Sequence, residues 1–391
     1  MKKEREKVEP SDNVIILGAG ASHSAGIPLM AGFVEKMWEF AIRKQVYGKP
    51  MSPDDIETFE KVIEIRNELD SYHGRALFDD RNLEDILSIL SFNEIHTSKS
   101  SKSKLSLFKK AISRTIELTC CVKDDGENKI QQLEYYYSPY KYFWWNLLGY
   151  RAREHKKVPT IISLNYDLVL ERALFHYLIG TDLLTLKHPI QAVEIDYHYD
   201  PVGDFQYTIK NTKYDTDSGE KMGTMLERGA IDNPLRIEIL KLHGSLNFPK
   251  TTTKETLSPV RSLDIPFILP PIINKMSSTT SIAKMWATAL QKLRTAKNVF
   301  IVGYSLPRTD IYMQYFLKTA LGPNLNLNRI YVFDPVLYKD DSTSKEMMDR
   351  YANCFSPQLQ SRIIFKPGRE SDDVRKGSFK HFQESLSYLL F

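Results

Sequence analysis

Four short clusters in this chain combine small, amide, imidazole and carboxylate residues at spacings that suit ligand chemistry: GAGASHSAGIP at 18–28, Asn165-Tyr166-Asp167, His243-Gly244-Ser245 and Gly303-Tyr304-Ser305. Each follows an apolar run. The first has the makings of a phosphate loop: Gly18, Ala19, Gly20 and Ala21 leave backbone amides accessible, and Ser22 adds a hydroxyl where a helix begins. The common dinucleotide spacing GxGxxG asks for a third glycine at position 23, which here is His23; the next glycine is Gly26, followed by Ile27 and Pro28. Taken alone, two glycines serve an ordinary tight turn equally well.

The later clusters offer groups for reaction. Asn165 supplies an amide, Asp167 a carboxylate, and His243 an imidazole that titrates near neutral pH and suits general-base work. Each has a structural rival. An isolated Asn-Tyr-Asp is by default a strand-end turn with a helix cap, and a lone histidine is usually satisfied within a core. As an ordered set they fall at the ends of runs that read as strands of one sheet, and in such sheets ligands gather at the carboxyl ends.

The elements that must position these groups follow from periodicity. NVIILG (13–18), VPTIISLN (158–165), EILKLHG (238–244), NVFIVGYS (298–305) and RIYVFDP (329–335) are short, branched apolar runs of the kind buried on both faces of a parallel sheet. Helical spacing separates them: Phe33, Met37 and Phe40 after Pro28, DLVLERALFHYL after the Asn-Tyr-Asp cluster, and Ile282, Met285, Trp286, Ala289, Leu290 and Leu293 on one face before NVFIV. The expected fold is α/β, a Rossmann-like doubly wound parallel sheet with a large helical insertion. Residues 1–45 and 151–391 form the Rossmann domain, 46–150 the helical insertion, and the polar stretch 191–233 a loop and hairpin insertion near one edge. The aromatic segment QQLEYYYSPYKYFWWNLLGY reads as a helix packing through Tyr142, Trp145, Leu148 and Tyr150, and KGSFKHFQESLSYLL as a closing helix.

Bulk properties narrow the class. With 391 residues, 42% hydrophobic and 26% charged, the chain has the composition of a globular protein with a sizeable core. A net charge of +4 is small against 53 basic and 49 acidic residues, so composition announces no nucleic-acid or membrane partner and any basic patch must be local. The basic stretch KSSKSKLSLFKK (99–110) reads as a solvated helix face, with phosphate contact the alternative. Cys120, Cys121 and Cys354 make neither a disulfide framework nor paired CxxC knuckles, so no metal is expected. No run is long enough to span a membrane, and the charged MKKEREKVEPSDN precedes no leader-like apolar stretch. The expected setting is cytoplasmic, without membrane contact.

GAGASHSAGIP, NYD, KLHGSLN and VGYSLPRTD, in that order, resemble the NAD-binding core of the sirtuin superfamily, most of all the sirtuin-like NAD hydrolases of bacterial antiphage defence. The likeness covers residues 13–35 and roughly 158–335. NLEDILSIL (82–90) is similar to that branch too. Two departures separate the chain from protein-deacylating sirtuins. Gly26-Ile27-Pro28 is followed by Leu29-Met30-Ala31 where those enzymes have Asp-Phe-Arg, and three cysteines cannot build their four-cysteine zinc ribbon.

The resemblance implies NAD+ as substrate and cleavage of the nicotinamide–ribose bond, yielding nicotinamide and ADP-ribose when water is the acceptor. It implies that Asn165 orients the ribose and a water, Asp167 lends negative charge to the developing cation, and His243 acts as general base. Gly18, Ala19, Gly20, Ala21 and Ser22, with Gly26, Ile27 and Pro28, would hold the pyrophosphate side; Gly303, Tyr304 and Ser305 would meet phosphate or ribose, and Asp334 the adenosine ribose. Asp310 is expected to cap a helix. Homo-oligomerisation, a HerA-type hexameric ATPase partner and contact with DNA through that complex are further implications. A sensor of NAD or ADP-ribose, or a DNA-processing subunit beside an ATPase, is the alternative.

Overall fold

Val14, Ile15, Ile16 and Leu17 leave no polar side chain for water, and as the strand β1 (Asn13–Leu17) all five residues are buried. Such a strand is stable only inside a sheet covered on both faces. The computed structural model describes residues 12–71, 79, 81–96, 99–122, 134–148, 158–180, 190–202, 205–216, 219–229, 234–251, 257–269, 282–338, 341–367 and 378–389. Tyr150 and the outer parts of the expected domain segments lie outside the described residues.

After β1 come α1 (Ala19–His23), α2 (Phe33–Arg43), the short strands β2 (Gln45–Val46) and β3 (Lys49–Pro50), α3 (Pro53–Asp70), α4 (Leu83–His96), α5 (Lys99–Thr119) and α6 (Glu134–Leu148). The sheet resumes with β4 (Thr160–Ser163), followed by α7 (Val169–Gly180), β5 (Ala192–Asp196), β6 (Phe205–Thr216), β7 (Gly219–Arg228) and β8 (Leu235–Lys241). The last part holds α8 (Ala283–Thr295), β9 (Asn298–Val302), α9 (Ile311–Leu321), β10 (Arg329–Asp334), α10 (Ser342–Ala352), α11 (Pro357–Gln360), β11 (Ile363–Pro367) and α12 (Ser378–Leu389).

Among the described residues the main sheet has nine strands in the order β11-β10-β9-β1-β4-β8-β5-β6-β7. From β11 to β5 every pairing is parallel, and β6 and β7 add an antiparallel hairpin at one edge. This is the expected Rossmann-like α/β fold. From β1 the chain places β4, then β5 to β7 and finally β8 on one side, β8 filling the gap between β4 and β5, and then crosses to β9 on the other side, so the order reverses between β1 and β9. Ligands of open α/β sheets bind at such a switch point.

Two local expectations need correction. In α6 the buried face is Tyr140, Phe143, Trp144, Leu147 and Leu148, whereas Tyr142 and Trp145 are more than half exposed. Leu148 packs as expected, but the dense aromatics leave the helical phase open, and packing against α7 and α12 buries Tyr140, Phe143 and Trp144 in place of Tyr142 and Trp145. The strand placed at 238–244 starts earlier and stops at Lys241, with Leu242 and His243 in a turn. β11 lies outside the runs read as strands, and β5, within the expected loop and hairpin insertion, is a parallel strand of the main sheet beside β8. Within residues 46–150, α3 and α5 pack with α2 and α4 packs on α5, while α6 joins α7 and α12. No helix among the described residues is long and apolar enough to cross a membrane.

Candidate functional site

Register brings the motif-bearing turns to one edge. Leu17 pairs with Ser163 on one side and Val302 on the other, and Ser163 pairs with Lys241. Backbone bonds continue past the strand ends: Gly18 N–H donates to Val302 O at 3.0 Å, Leu164 N–H to Leu17 O at 2.9 Å, Leu242 N–H to Ser163 O at 3.0 Å and Gly303 N–H to Phe333 O at 2.8 Å.

The first and last of these turns touch backbone to backbone. Gly20 N–H donates to Gly303 O at 2.8 Å, and Gly303 has φ +64°. A Cβ on Gly303 would stand 2.2 Å from Ala21 N, and one on Gly20 2.8 Å from Gly303 Cα. Glycine is therefore required here by the contact between loops, in addition to any ligand. Ala21 N–H is turned to Gly18 O at 2.9 Å, and Ala21 O accepts the Tyr140 hydroxyl of α6 at 2.6 Å. Ala21 and Ser22 are buried, whereas Ala19 is exposed.

The rest of that motif faces the end of α5. Cys121 N–H donates to Ala25 O at 2.8 Å, Gly26 lies opposite Thr119 O, and His23 Nδ1 is 3.1 Å from Ile27 O. Ile27 is buried and Pro28 half-buried. The contacts of Gly26 and of the residues beside it run to α5, separate from the cluster around Asn165.

Asn165 reaches back to the first loop, donating Nδ2 to Gly18 O at 2.8 Å and to Ser22 Oγ at 2.9 Å. His243 Nδ1 is 3.2 Å from Leu164 O, so the imidazole is tied to the residue preceding Asn165. Asp167 Oδ1 accepts Val169 N–H at 3.1 Å and thereby caps the start of α7, while its side chain also lines the cavity beneath Asn165. Below that turn lies a pair that sequence reasoning missed. Lys241 and Glu171, each 1% exposed, form an ion pair at 3.0 Å, and Lys241 Nζ also donates to Asp167 O. Lys241 shares a face with Ile237 and Ile239, and that lysine at the end of an apolar alternation was its signal.

The cavity lined by Ser22, Asn165, Asp167, Lys241, Tyr140 and Phe379, among others, measures about 10 Å3, the space of one water. Pockets that hold small molecules measure about 300–1,000 Å3. Tyr140 of α6 and Phe379 of α12 line this cavity, and Asn165 is half-buried beside it.

On the other side of β1, Tyr304 is buried and donates its hydroxyl to Asp310 Oδ2 at 2.8 Å; Asp310 Oδ1 accepts Met313 N–H and caps α9. Ser305 is half-buried beside it. α10 fastens this turn, Arg350 Nε donating to Ser305 O at 3.1 Å and the Tyr351 hydroxyl to Tyr304 O. Asp334, at the end of β10, accepts Val336 N–H at 2.9 Å; burial pushes its carboxyl pKa up, against the pull of that N–H and of Arg350. Arg350 and Tyr351 carry no motif, and nothing in the sequence marked them.

A separate group, Asp196, His198 and Glu238, brings one ligand atom from each within 4.8 Å of the others. Arg236 pairs with Asp196 and Lys292 of α8 with Glu238, so cations already neutralise both carboxylates. Burial pushes the Glu238 carboxyl up, but hydrogen bonds from His198 and Lys292 outweigh it and hold its pKa down at about 2. The group behaves as an ion-pair network between β5, β8 and α8.

The fold is that of a Rossmann-like α/β protein, with polar turns gathered at the carboxyl ends of its parallel strands on both sides of β1. No protein-family model and no curated protein matches the chain.

Proposed function

We propose that the protein is an NAD+ glycohydrolase of the sirtuin-like kind, acting in antiphage defence by depleting NAD+ once triggered. The observation that carries this reading is the meeting of Asn165 with Gly18 and Ser22 beside a turn that ties His243 to Leu164. An amide, an imidazole and a glycine loop at adjoining parallel strand ends suit a dinucleotide whose glycosidic bond lies over β4 and β8.

In the proposed reaction the bond between ribose C1′ and the nicotinamide nitrogen breaks and its electron pair leaves with nicotinamide. Water adds to C1′ and gives its proton to His243, whose Nδ1 is oriented by Leu164 O. The transition state has oxocarbenium character. Asn165 holds the ribose hydroxyls and the water, and Asp167, beneath it, contributes negative charge. The products are nicotinamide and ADP-ribose.

Such an enzyme must be silent until needed, and a cavity of only one water's size beneath Asn165 accords with that. A dinucleotide reaches Asn165 only when the α1 segment separates from Tyr140 and the Asn165 amide exchanges its protein partners for substrate. Assembly into a homo-oligomer, or with a HerA-type ATPase in the cytoplasm, is the proposed occasion for opening. The small cavity also favours a second reading, an NAD or ADP-ribose sensor that binds without turnover. The DNA-processing reading is weaker, because Lys104 and Lys110 of the basic stretch pair with Glu68 and Asp54.

Mass spectrometry of NAD+ incubated with the protein, alone and with its genomic neighbours, tests the proposal. Nicotinamide and ADP-ribose should accumulate with the wild type and not with Asn165→Ala or His243→Ala. Binding of intact NAD+ without products under every condition selects the sensor; unimpaired turnover by both variants removes the site assignment.

A further inference from the structure

A cation stands at the carboxyl ends of β9 and β10 with its charge unspoken for by the motifs. Arg350 is half-buried and donates Nε to Ser305 O at 3.1 Å, and Tyr351 beside it holds Tyr304 O. Among the described residues no carboxylate forms an ion pair with the guanidinium, although Asp334 feels its charge. With Nε engaged, both terminal NH2 groups remain to donate. A guanidinium fork of this kind matches two phosphate oxygens at once.

Its place along the edge decides which part of a ligand it meets. Asn165 follows β4, whereas Ser305 follows β9 and Asp334 ends β10, two and three strands away. At about 4.8 Å per strand, that separation is about 10–14 Å, the reach of a dinucleotide from its reacting ribose to its far nucleoside. Asp334 is acidic and buried, which suits ribose hydroxyls and disfavours phosphate at its own position.

We infer that Arg350 binds the adenosine-side phosphate of the dinucleotide, with Asp334 taking the adjoining ribose. The inference rests on the NAD+ reading above and adds to it a specificity-determining residue on α10. Arg350 has two tasks in this assignment: bracing the Ser305 turn through Nε and meeting the phosphate through its terminal nitrogens.

Calorimetric titration of the full chain with ADP-ribose, and with adenosine carried into the millimolar range, separates those tasks. For Arg350→Ala, ADP-ribose affinity should fall about ten- to hundred-fold, as for loss of a charge-assisted pair, while adenosine affinity changes less than about threefold. Arg350→Lys, which keeps the charge without the fork, should lie between and also serves if the alanine variant does not fold. An unchanged ADP-ribose affinity in both variants, or equal losses for the two ligands, overturns the assignment and leaves Arg350 a brace only. A wild-type chain that does not bind ADP-ribose, or wild-type binding with unaffected variants, overturns the inference alone; the proposed function stands or falls separately on nicotinamide release by the triggered protein.

Discussion

The Asn165 amide and the Ser22 hydroxyl meet at 2.9 Å across 143 residues of sequence. That bond, with its companion to Gly18 O, ties the end of β4 to the loop after β1. Asn165→Ala should lower stability by about 1–2 kcal/mol through the two lost bonds and also abolish nicotinamide release. His243→Ala should abolish release as well. Thermal unfolding beside a product assay checks both; wild-type turnover in either variant contradicts its role.

Gly303→Ala should destabilise the fold by about 2 kcal/mol or more, because the new methyl meets Ala21 N in a left-handed backbone conformation. Urea unfolding at constant slope is the measurement, and a midpoint equal to the wild type's would contradict the loop-on-loop contact.

Lys241→Met leaves Glu171 buried without its cation and should cost about 3–5 kcal/mol. Pairing it with Glu171→Leu should recover much of that, since the uncompensated charge goes too. A double-mutant cycle in urea reads the coupling, and additive losses would count against the pair.

The Glu238 carboxyl has a pKa of about 2 in the fold against an ordinary 4.5. A lowered folded value means its stabilisation is complete above the unfolded pKa and disappears as pH falls from about 5 toward 2. Wild-type unfolding free energy should decline across that window, and Glu238→Gln should flatten the decline by on the order of 2 kcal/mol after solvent screening. A parallel pH profile for the variant would show that the network contributes nothing there.

Tyr140→Phe removes the hydroxyl that holds Ala21 O at 2.6 Å. If closure is the resting state of the proposed enzyme, this variant should release nicotinamide without a trigger, faster than the untriggered wild type, at a stability loss of about 1 kcal/mol. An untriggered rate no higher than wild type would argue against Tyr140 as the latch.

Local sequence determined five of the parallel strands, β1, β4, β8, β9 and β10, and the turns that follow them. NVIIL and NVFIV can satisfy their apolar side chains on both faces only in a covered sheet, so their strand character and burial were readable residue by residue. The polar clusters after them were readable for the same reason: a chain leaving a buried strand must change composition. Which face α6 buries was decided elsewhere, because Tyr140, Phe143 and Trp144 compete with Tyr142 and Trp145 on apolarity and only α7 and α12 break the tie. The tertiary structure alone also put Lys241 against Glu171, Tyr140 against Ala21 and Arg350 against Ser305. These are bonds between single side chains and distant groups, with no periodicity to announce them; their partners come within reach only once the strands stand in register.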